Sequence, residues 1–257
     1  MTLTNETLDV AGGQRGYLLA VPAGQPRAVA LSLHGTRSRA REQAGYSRLG
    51  VQGTAAGVVV AFPEAISPVG RGYEWEPATD MPYLSKLVDQ LVERFPTADG
   101  RVAMTGMSGG ARMSCHFASH RSDVVTVVGA VAGLRAPTTA LSRPVPIMAF
   151  HGTADRINPY PGSGTTRWNE SVPDAASRWA AANDVGPQGV TTQVSRHVSK
   201  TTYGVAGSPG ETALWTIDGG GHTWPGSSFG LMGWLLLGKS THEIDATDLI
   251  LGSSHLA

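Results

Sequence analysis

Short apolar runs, each closed by turn residues, recur along the chain: GYLLAVP (16–22), AVALSLHG (28–35), GVVVAFPE (57–64), RVAMTG (101–106), VVTVVGAVAG (124–133), VPIMAFHG (145–152) and TALWTIDGG (212–220). Several are apolar on consecutive positions, the pattern of strands covered on both faces in a parallel sheet. Helical patterns lie between them. Thr79 and Asp80 precede Pro82, and Leu84, Leu87, Val88, Leu91, Val92 and Phe95 follow at helical spacing, which predicts a capped amphipathic helix. A second helix runs from Asp174 through Trp179 to about Asn183. A third opens at Ser240, where Ser240 and Glu243 have capping-box spacing and Ile244, Leu249, Ile250 and Leu251 can face a core. Strands alternating with helices predict an α/β fold with a mostly parallel central sheet and helices on both faces. With no internal repeat, low-complexity linker or composition break, one domain over 1–257 is the economical reading.

Composition narrows the partners. At 41% hydrophobic and 16% charged, the 257 residues suit a globular protein, not a disordered or fibrous one. Twenty basic and twenty acidic residues leave no electrostatic footprint for nucleic acid or an anionic membrane, so neither is expected as a partner. The single cysteine, Cys115, excludes an internal disulfide and a multi-thiolate zinc site, and reads as a small buried filler. His116 and His120 share a helix face at i, i+4, but no glutamate stands between them and no third ligand is evident; no metal or cofactor is expected. MTLTNETLDV lacks a basic region followed by an apolar stretch, so the expectation is a cytoplasmic protein, or a secreted one whose signal has been removed.

In open α/β sheets functional groups collect beyond the carboxyl ends of strands. RVAMTG delivers Gly106-Met107-Ser108-Gly109-Gly110, and ARMSCHFASH after it reads as a helix: the strand, sharp turn and helix of a nucleophile elbow. A bare G-x-S-x-G is weak evidence. Gly226-Ser227-Ser228-Phe229-Gly230 fits it too, but no strand leads into it and no amphipathic helix follows, so Ser228 reads as a loop residue. Two further strand ends separate the cases. VPIMAFHG leads to Asp155, and TALWTIDGG leads to His222. A hydroxyl becomes a nucleophile when a neutral imidazole takes its proton, and a carboxylate fixes that imidazole's tautomer, so Ser108, Asp155 and His222 in this order suit acyl transfer.

Other readings stand beside this one. Asp155 could merely cap the turn before Asn158-Pro159, and Asp218 is the rival carboxylate, although its place before Gly219-Gly220 suits a turn. His34 and His151 each precede a glycine after a strand and are candidates for supporting the loops. For the oxyanion the backbone amides of Gly109 and of Thr36, with Gly35 as runner-up, are the expected donors.

The blocks LHGT (33–36), RVAMTGMSGGARM (101–113), AFHGTADRINPY (149–160) and GGGHTWPG (219–226), with IDATDLI (244–250), resemble the poly(3-hydroxybutyrate) depolymerase family esterases, neighbours of the feruloyl and acetylxylan esterases in the α/β-hydrolase superfamily. The resemblance runs in blocks from about residue 15 to 251. It implies an α/β-hydrolase fold, Ser108, Asp155 and His222 as the triad, and Tyr160 and Trp224 as acyl-pocket residues. The chain departs from polymer-digesting members: it shows no export signal, disulfides or polymer-binding module, and has Thr36 where cysteine is common. These departures favour a soluble small-molecule ester as substrate.

FGLMGWLLLG (229–238) is too short to cross a bilayer. Following His222, it could cover the pocket, with Trp234 against the substrate, pack in the core, or form a homodimer contact. The leading expectation is a serine esterase working through an acyl-enzyme. Its alternatives are an acyltransferase, lactonase or cyclase on the same triad, and a catalytically silent binding protein on the same fold.

Overall fold

The computed structural model describes residues 2–97, 100–165 and 168–256, with only the backbone described at 231, 232 and 234. In chain order the strands are β1 (Thr4–Val10), β2 (Gly13–Ala20), β3 (Ala28–Leu33), β4 (Val58–Pro63), β5 (Ser67–Val69), β6 (Gly72–Glu74), β7 (Val102–Met107), β8 (Val125–Val131), β9 (Ile147–Gly152), β10 (Val190–Gln193), β11 (Val198–Tyr203) and β12 (Thr212–Ile217). The helices are α1 (Ala40–Ser47), α2 (Leu49–Ala55), α3 (Pro77–Arg94), α4 (Gly109–His120), α5 (Val172–Ala182), α6 (Gly230–Leu237) and α7 (Ala246–Leu251). Ten strands form one sheet in the order β1-β2-β4-β3-β7-β8-β9-β12-β11-β10, and β5 and β6 form a separate hairpin. The centre, from β4 through β12, is parallel, while β1-β2 and β11-β10 add antiparallel edges.

Alternation along the central strands produces two cores. Val29, Leu31 and Leu33 of β3 face Leu84, Leu87 and Leu91 of α3, Phe117 of α4 and Trp179 of α5 in one buried cluster. Ala28 and Ala30 face the opposite cluster, with Leu49 of α2 and Ile250 and Leu251 of α7. The consecutive apolar runs are therefore buried on both sides, and helices cover both faces of the sheet.

Two helix starts differ from the sequence reading. α3 opens at Pro77 with Glu76 as N-cap, and Pro82 lies inside it. The Asp80 carboxylate turns inward, accepting the Glu76 amide at 2.7 Å and Arg15 Nη2 at 2.6 Å. α7 opens at Ala246, capped by Asp245 Oδ1, which accepts the Thr247 and Asp248 amides. Ser240 instead donates to the Trp224 carbonyl, and Glu243 binds Ser195 and His197. An aspartate beside two open amides satisfies a helix end better than a distant serine-glutamate pair. Among the described residues no helix is long and apolar enough to cross a membrane.

Candidate active site

β7 runs straight into α4, and Ser108 is the whole of the connection. Its backbone has φ 56° and ψ −114°, a strained conformation for a non-glycine residue, held by its amide donating to the Val131 carbonyl at 2.8 Å. Such a turn needs close backbone packing beneath it. A Cβ on Gly110 would meet the Leu33 carbonyl oxygen at 2.1 Å, and one on Gly106 would meet that same oxygen, and the Gly110 carbonyl carbon, at 2.7 Å. The two flanking glycines are therefore required by space. Ser108 is 8% exposed, and its Oγ makes no hydrogen bond to any described residue.

β9 and β12 are parallel neighbours, so the loops at their carboxyl ends meet. The Ala154 amide donates to the Gly220 carbonyl at 2.9 Å and the Thr153 amide to the Ile217 carbonyl at 2.9 Å. His222 Nδ1 is 2.7 Å from Asp155 Oδ2. Because a carboxylate only accepts, Nδ1 carries the hydrogen and Nε2 keeps a free lone pair. Asp155 uses its other oxygen to hold its own turn: Oδ1 accepts the Ile157 amide at 2.8 Å and the Asn158 amide at 2.9 Å. The capping and the histidine-orienting readings of Asp155 thus coexist. Burial alone would raise this carboxyl, but hydrogen bonds from His151 and His222 outweigh it and hold it well below the usual carboxylate range.

The two histidines that sequence reasoning set aside as loop supports are both buried. His151 Nε2 donates to the Asn158 carbonyl at 2.8 Å and lies 3.3 Å from Asp155 Oδ2. Asn158, whose importance the sequence reading missed, also donates Nδ2 to the Ala132 carbonyl at 2.7 Å. The Asp-x-x-Asn spacing of an Asx-type turn was the available signal. His34 Nδ1 donates to the Gly35 carbonyl at 2.9 Å, while Nε2 accepts the Ala65 amide at 3.1 Å. Anchoring the Gly35 carbonyl fixes the peptide plane whose other end is the Thr36 N–H. That amide is close to the elbow: a Cβ on Gly109 would lie 2.9 Å from the Thr36 nitrogen. Among the described residues no acceptor takes the hydrogen of either the Thr36 or the Gly109 amide.

Ser108, His222 and Thr36 line one cavity of about 500 Å³, whose apolar wall includes Tyr46, Val69, Met107, Ile157, Phe229 and Leu237. The stretch 229–238 therefore borders this cavity through its two ends. Phe229 lies 5.4 Å from the Tyr46 ring, and the Leu237 carbonyl accepts the His222 amide at 2.6 Å. Leu235 and Leu236 face solvent.

Two pocket residues are placed elsewhere. Tyr160 is not in the cavity wall; its hydroxyl pairs with Thr216 Oγ1 at 2.8 Å and its ring meets His151 edge-on. Trp224 is 1% exposed and belongs to the core, donating Nε1 to Thr247 Oγ1 at 3.0 Å. Both side chains follow the inward face of their segments, which sequence does not reveal for loops. The Trp234 side chain lies outside the described residues. Ser228 is exposed and does not line the cavity, although its neighbour Phe229 does; α6 opens at Gly230, but no strand leads into Ser228. Asp218 ends its strand in a turn and accepts Thr153 Oγ1 at 3.2 Å. Cys115 is buried, which pushes its thiol up to about 12.

No family model matches the chain. In sequence it is 28% identical over 266 residues, 89% of this chain and 76% of the relative, to a protein of Nocardia uniformis subsp. tsuyamanensis named "Putative esterase NocK". In structure it is similar to an acetyl xylan esterase from Aspergillus awamori (TM-score 0.67, 15% identity, 91% of this chain and 98% of that one). It is also similar to the esterase Pf2001 of Pyrococcus furiosus (TM-score 0.50, 12% identity, 71% of this chain and 78% of that one). With its strand order, its elbow and its parallel sheet covered on both faces, the chain has the α/β-hydrolase fold.

Proposed function

We propose that this chain is a serine carboxylic-ester hydrolase acting through an acyl-enzyme on a small-molecule ester. One observation carries the reading: a buried carboxylate holds His222 by Nδ1 at 2.7 Å, on the rim of the cavity into which a strained turn presents Ser108. In this reading His222 Nε2 takes the Ser108 proton as Oγ attacks the ester carbonyl. The Thr36 and Gly109 amides receive the oxyanion, and Asp155 stabilises the imidazolium. The imidazolium then protonates the departing alkoxide, and a water activated by His222 releases the acid and restores Ser108. The name of the Nocardia relative supports this assignment, as does the resemblance of the sequence blocks to poly(3-hydroxybutyrate) depolymerase family esterases. The apolar wall suits an alkyl or aryl group of the ester, because burying such surface contributes about 25 cal/mol per Å².

The test is hydrolysis of p-nitrophenyl butyrate combined with fluorophosphonate labelling. The wild-type protein is expected to hydrolyse the ester and to be labelled at Ser108, and Ser108→Ala to lose both. Unchanged hydrolysis by Ser108→Ala would sink the assignment.

A further inference from the structure

A second cavity, of about 250 Å³, shares Thr36 and Glu74 with the first and is lined by Gly109, but by neither His222 nor Ser108. Its wall carries more basic side chains, for Arg112, Arg135 and His116 line it where Arg37 and His222 line the larger cavity, and the shared Glu74 is its one carboxylate residue. Arg112 Nη2 lies 3.4 Å from Thr36 Oγ1, which sets one guanidinium a single side chain away from the proposed oxyanion donors. The Arg135 guanidinium stacks 3.9 Å from the centre of the buried Trp168 ring, a contact that orients its planar fork. Both arginines are half-buried, where charge acts more strongly than at an open surface.

We propose that this smaller cavity is a subsite for a carboxylate at the far end of the acyl group, so that the preferred substrates are monoesters of short dicarboxylic acids. The inference rests on the esterase reading above. The departing oxygen must be protonated by His222, which lines only the larger cavity, so the alcohol leaves on that side. The part of the substrate that stays on Ser108 extends the other way, past Thr36, which lines both cavities, and Gly109, which lines the smaller, toward the guanidinium pair. Planar guanidinium forks match carboxylate geometry.

The decisive comparison uses monoethyl succinate, ethyl butyrate and carboxymethyl butyrate, with acid release followed by pH-stat. The first two share acyl length and differ by the terminal carboxylate, while the third carries its carboxylate on the alcohol. The wild-type enzyme is expected to prefer monoethyl succinate over ethyl butyrate by roughly tenfold or more in kcat/KM. That ratio should fall as potassium chloride is raised. Arg112→Met and Arg135→Met should each lower the ratio, mainly through KM, with Arg112→Lys recovering part of the loss, and Glu74→Gln should raise it. A ratio of one or less, equal losses on both esters in the arginine variants, or a preference for carboxymethyl butyrate overturns the subsite. If no ester is hydrolysed and the fluorophosphonate does not label Ser108, the esterase reading itself has failed, and the subsite with it.

Discussion

In Asp155→Asn the two carboxylate oxygens would part company. Oδ1 would still accept the Ile157 and Asn158 amides, so the turn should survive, but an amide NH2 would face His222 Nδ1 and force the other tautomer. The expected result is a loss of roughly a thousand- to ten-thousand-fold in kcat with KM within a few-fold, read by steady-state kinetics. A loss of fold on circular dichroism would instead mean that the carboxylate serves mainly the turn. His34 makes a separate, pH-dependent prediction. Burial holds its ring at a pKa of about 4, below the usual 6.5. As pH falls the unfolded chain therefore takes up the proton first, and the folded state loses stability from about pH 6.5 down to about pH 4 while keeping it in full above that window. The shift corresponds to a contribution on the order of 3 kcal/mol. His34→Gln should flatten this slope. Urea unfolding at pH 7 and pH 4.5 checks it, and parallel slopes in the two proteins would refute it.

β7 and α4 meet through glycines, and that junction is the least tolerant element boundary near the site. Gly110→Ala places a Cβ 2.1 Å from a backbone oxygen that cannot swing aside, so the strand or the helix must shift. A destabilisation of about 1–3 kcal/mol or more is expected in denaturant titration, with hydrolysis falling further than stability because Ser108 moves with the junction. α6 behaves differently along its length. Its C-terminal carbonyl at Leu237 ties down the His222 loop, whereas Leu235 and Leu236 lie open to solvent. Replacing both exposed leucines by glutamine should leave monomer stability within about 0.5 kcal/mol. Sedimentation of the same variant, compared with wild type, reads whether this apolar surface joins two copies.

Across the molecule, the Asp80–Arg15 pair clamps the start of α3 to β2, with side chains 0% and 5% exposed. Asp80→Ala strands a buried guanidinium and is expected to cost about 3–5 kcal/mol in thermal or urea unfolding. This pair also shows where legibility ended. Asp80 looks like a helix cap in sequence, because a local pattern says nothing about an arginine 65 residues away. The central strands were readable because burial on both faces leaves uninterrupted apolar runs such as VVVAF in β4. The outer antiparallel strands β1, β10 and β11 were not, since TNETLDV, VTTQ and VSKTTY bury little and carry mixed or polar patterns. At the proposed site, Ser108, Asp155 and His222 stand out in the sequence because each follows a readable strand, in an order that suits acyl transfer. Tyr160 and Trp224 do not line the cavity that Ser108 and His222 share, and they lie in loops, where no periodicity says which way a side chain turns. Local patterning by itself determined the α/β alternation, the elbow and the order of the three polar residues, for these depend on neighbours in the chain. The 2.7 Å pairing of His222 with Asp155, the doubled use of that carboxylate, and the two cavities that meet at Thr36 and Glu74 were decided only by the tertiary structure, because they depend on which strand ends the sheet order makes neighbours.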